Sequence, residues 1–235
     1  SRGLGDVYKR QIHIDGNADF ANQASSEGWP GDGSKANPYI IQNYVINALG
    51  DNGIEISNTN FFFLIINVTV YGGINATIYD KGNGIKLDNV TNGNLTGNTL
   101  YNNKNGLRIV CSTNITLSGN NSYNNSEDGF DLYESVNITL SNNTASNNSI
   151  NGFFFWGCTN HILSGNIAFN NKYDGYELYE CTNCTLINNT ASNNLDGFCL
   201  SFSKNHMLVN NTASYGYNGF ILYYSLNNTL KINAA

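Results

Sequence analysis

A glycine that returns every 22 to 23 residues is the strongest constraint on what this chain can fold into. Aligned on Gly84, Gly106, Gly129, Gly152, Gly175, Gly197 and Gly219, with a degenerate copy from Gly53, the sequence superposes on itself at a period typical of solenoids. One and three places after the glycine stand apolar residues: Ile85 and Leu87, Leu107 and Ile109, Phe130 and Leu132, Phe153 and Phe155, Tyr176 and Leu178. Such alternation marks a strand with one buried face. A second short strand centres on Leu95, Leu117, Leu140, Leu163, Leu186, Leu208 and Leu230, and a third on Leu100, Ala145, Ala168, Ala191 and Ala213. Three short strands per unit, separated by Asn, Gly and Ser turns, predict an all-β parallel β-helix solenoid of about eight coils. The unit has the length of a leucine-rich repeat but lacks the L-x-x-L-x-L signature. One coil buries too few apolar side chains to offset the ordering of its own residues, so stacking must supply both the core and the backbone partners.

The chain holds 45 Asn, a bias that alone would suit an aggregation-prone low-complexity tract. Period assigns them to the repeat instead. One column runs Asn92, Asn114, Asn137, Asn160, Asn183, Asn205, Asn227; another runs Asn67, Asn98, Asn120, Asn143, Asn166, Asn189, Asn211, Asn233. Asn tolerates left-handed turn backbone, and stacked amides can hydrogen-bond along an axis, so both columns are read as structural.

Charged residues are only 12% of the chain, the net charge is -6, and no basic tract is present, which excludes nucleic acid as the expected partner. The longest strictly apolar run, "FFFLII" at 61–66, is far shorter than the roughly 20 residues that span a bilayer, so no transmembrane segment is expected. Residues 1–11, "SRGLGDVYKRQ", share nothing with the repeat. "DVYKRQ" resembles the translation of a transposase adaptor end, which makes 1–11 a non-native read-through segment; a natural first strand is the alternative. Residues 12–52 are read as an entry or cap segment and 53–235 as the repeats. An open β-helix end invites pairing, so further coils or a cap are expected after "LKINAA".

The pattern "G-apolar-x-apolar … N-x-T-L-x-x-N" over residues 53–233 resembles the right-handed parallel β-helix repeats of the pectin-lyase-like superfamily, in particular the NosD-type (periplasmic copper-binding protein NosD) β-helix family. "GWPGDGSKANPYIIQNYVINA", residues 28–48, is similar to the segment that precedes such repeats in surface and secreted β-helix proteins. The resemblance implies a right-handed coil and a secreted, periplasmic or cell-surface location. It is specific for fold and weak for activity, since this fold hosts lyases, hydrolases, epimerases and adhesins.

With Phe153 and Phe155 inward, alternation turns Phe154 and Trp156 outward. Read across coils, one outward column is Glu55, Lys86, Arg108, Asp131, Phe154, Glu177, Cys199, Ile221, and the next includes Tyr133, Trp156, Tyr179, Ser201 and Tyr223. Glu134, Glu180, Phe202 and Tyr224 follow at the turn. Aromatic rings interleaved with carboxylates suit a sugar, because rings pack on apolar sugar faces and carboxylates accept hydroxyl hydrogen bonds. Asp131, Tyr133, Phe154, Trp156, Glu177, Tyr179 and Tyr223 are therefore the candidate ligand-binding residues, for a polysaccharide or surface glycan, with contact to another protein as the competing use of the same face.

Within the superfamily, the resemblance implies a groove along this first sheet, with acids that bind calcium in lyases or act in pairs in hydrolases. Asp131 and Glu177, two coils or about 9.6 Å apart, with Arg108 beside Asp131, are the weak catalytic candidates. The Gly-His-Gly and Arg-Ile-Lys signatures of polygalacturonases are absent. An exposed Arg108–Asp131 ion pair accounts for those two residues more simply.

"CTNH", "CTNC" and "SKNH" fall on successive coils and bring Cys158, His161, Cys181, Cys184 and His206 together, a donor set suited to copper or zinc. Against a metal, the same columns carry Ser112, Ser135, Ile115 and Ile138, which points the side chains into the core. The expectation is no cofactor. A Cys158–Cys181 disulfide would be strained, because Cβ atoms stacked in parallel lie farther apart than a disulfide prefers.

Overall fold

A computed structural model describes residues 7–74, 76–78 and 80–235; the reading of residues 1–6 as foreign lies outside the described residues. The chain winds into a right-handed parallel β-helix with three nine-stranded parallel sheets. The first sheet contains the strands after each repeat glycine, such as Phe130–Tyr133, Phe153–Trp156 and Tyr176–Tyr179. The second holds the leucine strands, such as Thr139–Ser141 and Ile162–Ser164, and the third holds strands such as Thr144–Ser146 and Ile167–Phe169. Leu95, Leu117, Leu140, Leu163, Leu186, Leu208 and Leu230 are direct lateral partners, one coil above the next, as the period requires.

The register lines the core with columns of one kind. Phe130, Phe153, Tyr176, Phe198 and Phe220 stack face to face, with centroids 4.7–4.9 Å apart and planes within 5°. That spacing is the lateral separation of the strands themselves. Opposite the rings run Ala145, Ala168, Ala191 and Ala213, and their small size lets the glycine corner close: a Cβ on Gly152 would lie 2.8 Å from the Gly175 carbonyl oxygen and 2.9 Å from the Ala168 Cβ. The repeat glycine is thus required by close approach, which the sequence period reports without explaining.

Asparagines fill two different roles. Asn92, Asn114, Asn137, Asn160, Asn183, Asn205 and Asn227 hold left-handed turns, with φ between 55° and 68°. From Asn98 through Asn120, Asn143, Asn166, Asn189 and Asn211 to Asn233, each Nδ2 donates to the next Oδ1 at 2.9–3.0 Å. Each amide thereby pairs with backbone and side chain of its neighbours inside the core, where an unpaired polar group is costly. Asn67, expected in this ladder, belongs one place earlier, in the left-handed column of Gly97, Gly119 and Asn142; Val68 occupies the ladder position and its N–H donates to Asn98 Oδ1. A second buried ladder, Asn103, Asn125, Asn148, Asn171 and Asn194, was not read from the sequence.

At the head of the solenoid, Ile12–Asp15, Tyr39–Gln42 and Tyr44–Asn47 start the three-sided winding, and Val7–Lys9 pairs with Tyr44–Ile46. The helix Gly16–Glu27 is inserted between the first two of these strands and buries Phe20 against Tyr39 and Phe63. Gly28, at φ 69°, stops it with its neighbour's N–H returned to Ala24. No described helix is long and apolar enough to cross a membrane.

Candidate functional site

The outward column of the first sheet changes character along the axis. His13, Glu55, Lys86, Arg108 and Asp131 follow one another across the early coils and carry an ion network. Glu55 sits 2.8 Å from Lys81 and 3.4 Å from Lys86. Burial would raise its carboxyl, but hydrogen bonds from Lys81 and Asn52 and the nearby ammonium charges hold it near a pKa of about 2. Arg108 pairs directly with Asp131 and approaches Asp80. Asp131 is only 3% exposed and Arg108 is half-buried, so the pair is not the exposed one expected from strand alternation. Burial pushes its carboxyl up to about 6 even though Arg108 pulls the other way.

From the next coil onward the column reads Phe154, Glu177, Cys199, Ile221, and a groove opens. One wall is the second outward column, Tyr133, Trp156, Tyr179, Ser201 and Tyr223, in register as expected. The other wall was not anticipated. Ile150, Tyr173, Leu195 and Tyr217 stand two places before successive glycines, each backbone N–H donating to the carbonyl of the residue one coil back. Between them runs an Asx column immediately before the glycines, which includes Asn105, Asp128, Asn151, Asp174, Asp196 and Asn218. Its side chains satisfy neighbouring backbone: Asp128 Oδ1 accepts from the Asn151 N–H at 2.8 Å and Asn151 Oδ1 from the Asp174 N–H at 2.9 Å. Aligning the residues that precede each glycine, "SINGF", "KYDGY", "NLDGF" and "GYNGF", is the sequence signal that would have found both.

Two adjoining cavities of about 460 and 390 Å³ lie in this groove and share Ile150, Asn151 and Glu177. Phe154, Trp156, Tyr179 and Asp128 complete the first; Tyr173, Asp174, Leu195 and Asp196 complete the second. Asn151 Nδ2 donates to Glu177 Oε2 at 3.0 Å and fixes that carboxylate at the junction. Burial raises the carboxyls of Asp128, Asp174 and Glu177; Asp174, with Glu177 and Asp196 close by, reaches about 7.

Ring geometry separates this wall from the other aromatic columns. Tyr71, Tyr101 and Tyr123, on the outside of the third sheet, stack within 10° of parallel, so each face covers the next. Tyr133, Trp156, Tyr179 and Phe202 instead meet at 52–62°, and Trp156 remains 40% exposed. Tilting leaves ring faces available to an outside molecule. Backbone strain marks the same edge. The other left-handed columns use mainly Asn and Gly, but the turn bordering this wall places Cys111, Glu134, Glu180, Phe202 and Tyr224 at φ between 45° and 53°. Each such residue costs on the order of 1 kcal/mol, which the fold tolerates beside the groove and nowhere else along several consecutive coils.

The candidate metal donors are all core residues. Cys158, His161, Cys181, Cys184 and His206 are buried, and all five cysteines of the chain are free. The Sγ of Cys181 accepts the Cys158 N–H and stands where other coils use a serine hydroxyl. Nδ1 of His161 and of His206 accept backbone N–H groups from Ile138 and Cys184, which commits the ring proton to Nε2 and leaves that nitrogen without a lone pair for a metal. Burial lowers His161 to about 3 and His206 to about 4 and raises the Cys184 thiol to about 12. Among the described residues no three His, Cys, Asp or Glu are grouped to hold an ion.

The family model described as periplasmic copper-binding protein (NosD) matches residues 33–166 and 147–235. Among solved structures, pectate lyase Pel9A superposes with a TM-score of 0.66 at 17% identity, covering 98% of this chain and 80% of its own. The mannuronan C-5 epimerase AlgE4 A-module of Azotobacter vinelandii gives 0.64 at 16% identity, covering 81% of this chain. PfbA, a surface adhesin of Streptococcus pneumoniae, gives 0.53 at 13% identity, covering 83% of this chain and 62% of its own. At such identities the likeness is one of fold. This chain spans 63% of the epimerase module's length. No curated protein sequence is significantly similar to it. The repeat spacing, the three-sheet winding and the extent of the family match together mean that the chain belongs to the periplasmic copper-binding protein (NosD) family.

Proposed function

We propose that this chain is a non-catalytic, secreted or cell-surface module that binds glycan in the groove between Ile150–Tyr173–Leu195 and Trp156–Tyr179. The observation that carries the reading is the tilted, half-open ring wall of Trp156 and Tyr179 beside the cavity floored by Phe154 and Glu177. Open ring faces pack on the apolar faces of sugars, and the Asn151–Glu177 pair offers hydroxyls both an amide and a carboxylate. Asp131, buried under Arg108, has the role of ending the ion network, and Tyr133 that of supporting Trp156. Tyr223, more than half exposed, extends the wall. Two of the structures with this fold carry the names of enzymes that act on polysaccharides, and a third that of a surface adhesin. The test is retention on immobilised polysaccharides: Trp156→Ala and Tyr179→Ala should each lower binding at least about tenfold with thermal stability nearly unchanged. Equal retention of both variants would refute this groove as the site.

A second reading, a polysaccharide lyase or glycoside hydrolase, draws on one observation. Asp174, raised to about 7 by burial beside Glu177, is poised to exchange a proton near neutral pH. Release of unsaturated or reducing ends that disappears in Asp174→Asn would favour it over the binding module. The copper named in the family's description finds no fit among the buried Cys and His residues, whose sulfurs and imidazoles are engaged with backbone inside the core.

A further inference from the structure

The charge of the groove narrows its ligand beyond the class just proposed. Among the described residues, the carboxyl groups of Asp128, Asp174, Glu177 and Asp196 line the two cavities, and no Lys, Arg or His does. The cationic side chains of the first sheet are spent elsewhere: Lys86 on Glu55, Asp80 and Asp88, and Arg108 on Asp131. At the rim, Lys172 holds its ammonium 5.7 Å from the Tyr173 ring centroid, on the outer wall. The acids are only partly used by the protein. Glu177 Oε2 accepts from Asn151, whereas Oε1 has no donor among the described residues; Asp196 Oδ1 takes both donors of Asn218 and leaves Oδ2 open. A polyuronate would set its carboxylates against these groups with no cationic side chain among the described lining residues to mediate, an arrangement that like-charge repulsion opposes.

We infer that the groove selects a glycan bearing free amino groups, a hexosamine polymer whose ammonium groups sit among Asp128, Asp174, Glu177 and Asp196 while its ring faces lie on Trp156 and Tyr179. This inference rests on the groove being a glycan site. Asp174 and Asp196 occupy one column on adjacent coils, about 4.8 Å apart by strand spacing, so the acids form a line along the axis that an extended polymer can follow. The elevated acids fit the same assignment. Asp174, at about 7, is partly protonated near neutral pH; an ammonium arriving beside it favours its charged form, and a proton leaves as the ligand binds.

Calorimetry near neutral pH at physiological salt, with the whole chain, separates the outcomes. The probes are a glucosamine hexamer, its fully N-acetylated counterpart, a galacturonate hexamer and polylysine. The expected result is binding of the glucosamine hexamer at least about tenfold tighter than the acetylated one, no binding of the galacturonate, and heat that varies with buffer ionisation because protons are released. Glu177→Gln with Asp196→Asn should abolish the preference, so that the glucosamine and acetylated hexamers bind alike. Asn already occupies the Asp196 position in the next coil, as Asn218, and two coils back, as Asn151, so the fold tolerates the change. Equal affinity for the two hexosamine hexamers, or preference for the uronate, overturns the amine assignment and leaves the glycan reading intact. Binding of polylysine as tight as that of the glucosamine hexamer overturns it too, in favour of a basic protein partner. If no oligosaccharide binds, both readings fall.

Discussion

Two aromatic columns run side by side through the same coils and obey different rules. Inside, Phe130, Phe153, Tyr176 and Phe198 lie within 5° of parallel at strand spacing. Outside, a few ångströms across the same strands, Tyr133, Trp156 and Tyr179 tilt by 52–61°. Both columns are built on backbone in one register, so register alone does not set ring orientation. The inner rings are confined on every side, and parallel stacking is the arrangement that fits a space repeating at every coil. The outer rings of this wall have solvent on one side and meet edge toward face, an arrangement their quadrupoles favour; the outer Tyr71, Tyr101 and Tyr123 stack in parallel, so exposure permits the tilt without imposing it. The solenoid is therefore rigid and repetitive where it is packed, and adjustable along one wall of one groove.

The largest test of this contrast is a truncation on each side. Phe153→Ala should destabilise by about 3–5 kcal/mol, because it opens a cavity in an unbroken stack, whereas Trp156→Ala should change stability by about 1 kcal/mol or less. Chemical denaturation of both variants measures the difference. Comparable losses would mean that the outer rings are structural as well.

Acid titration sharpens the same distinction with opposite signs. His161 lies in the core, where burial lowers its pKa from 6.5 to about 3. Between those values the unfolded chain binds a proton that the folded chain does not, so stability falls as pH drops through that window. Asp174 at the groove is raised from 3.8 to about 7, so it favours the folded state as pH drops from 7 toward 4. His161→Ile, which copies Ile138 one coil away, should recover on the order of a few kcal/mol at pH near 4 and little at pH 8. Asp174→Asn should instead stabilise above pH 7 and lose that benefit in acid. Parallel pH profiles for the two variants would contradict the assignment of either group.

A smaller effect is expected within the amide ladder. Asn143 bridges Asn120 and Asn166 and donates to the Leu117 carbonyl, so Asn143→Ala should cost about 1–3 kcal/mol by stranding buried partners. Asn142, next to it but exposed in a left-handed turn, should tolerate Gly with almost no loss. The smallest change should be a gain. Glu180→Gly relieves a φ of 53° at the groove edge and should raise stability by about 1 kcal/mol or less in thermal melts, while leaving the inner stack unaffected. A loss of stability there would show that the Glu180 side chain is held by contacts worth more than the strain.

Much of this molecule is legible because one number, the spacing between glycines, converts sequence into height along an axis. The leucine column, the outward order Arg108, Asp131, Phe154, Glu177 and the central amide ladder all follow from it. The misreading of Asn67 by one place arose because the turn 60–62 holds one residue more than its counterpart 91–92, so that the fourteen places from Gly84 to Asn98 fall one short when counted from Gly53. The wall Ile150, Tyr173, Leu195 and the Asx column were missed because they lie in turns or at the very start of strands, where no two-residue alternation declares which way a side chain points.

What the linear order of residues determined by itself is the winding: a coil too small to fold alone, repeated with its glycine, leucine and asparagine in phase, has stacking as its only way to bury apolar groups and pair its backbone. Only the tertiary structure decided how the surface of that winding is used. Ring tilt, the burial of Asp131 under Arg108, and the meeting of Asn151 with Glu177 depend on where turns place side chains between coils. Those placements are balances among neighbours in space, which a repeat period does not encode.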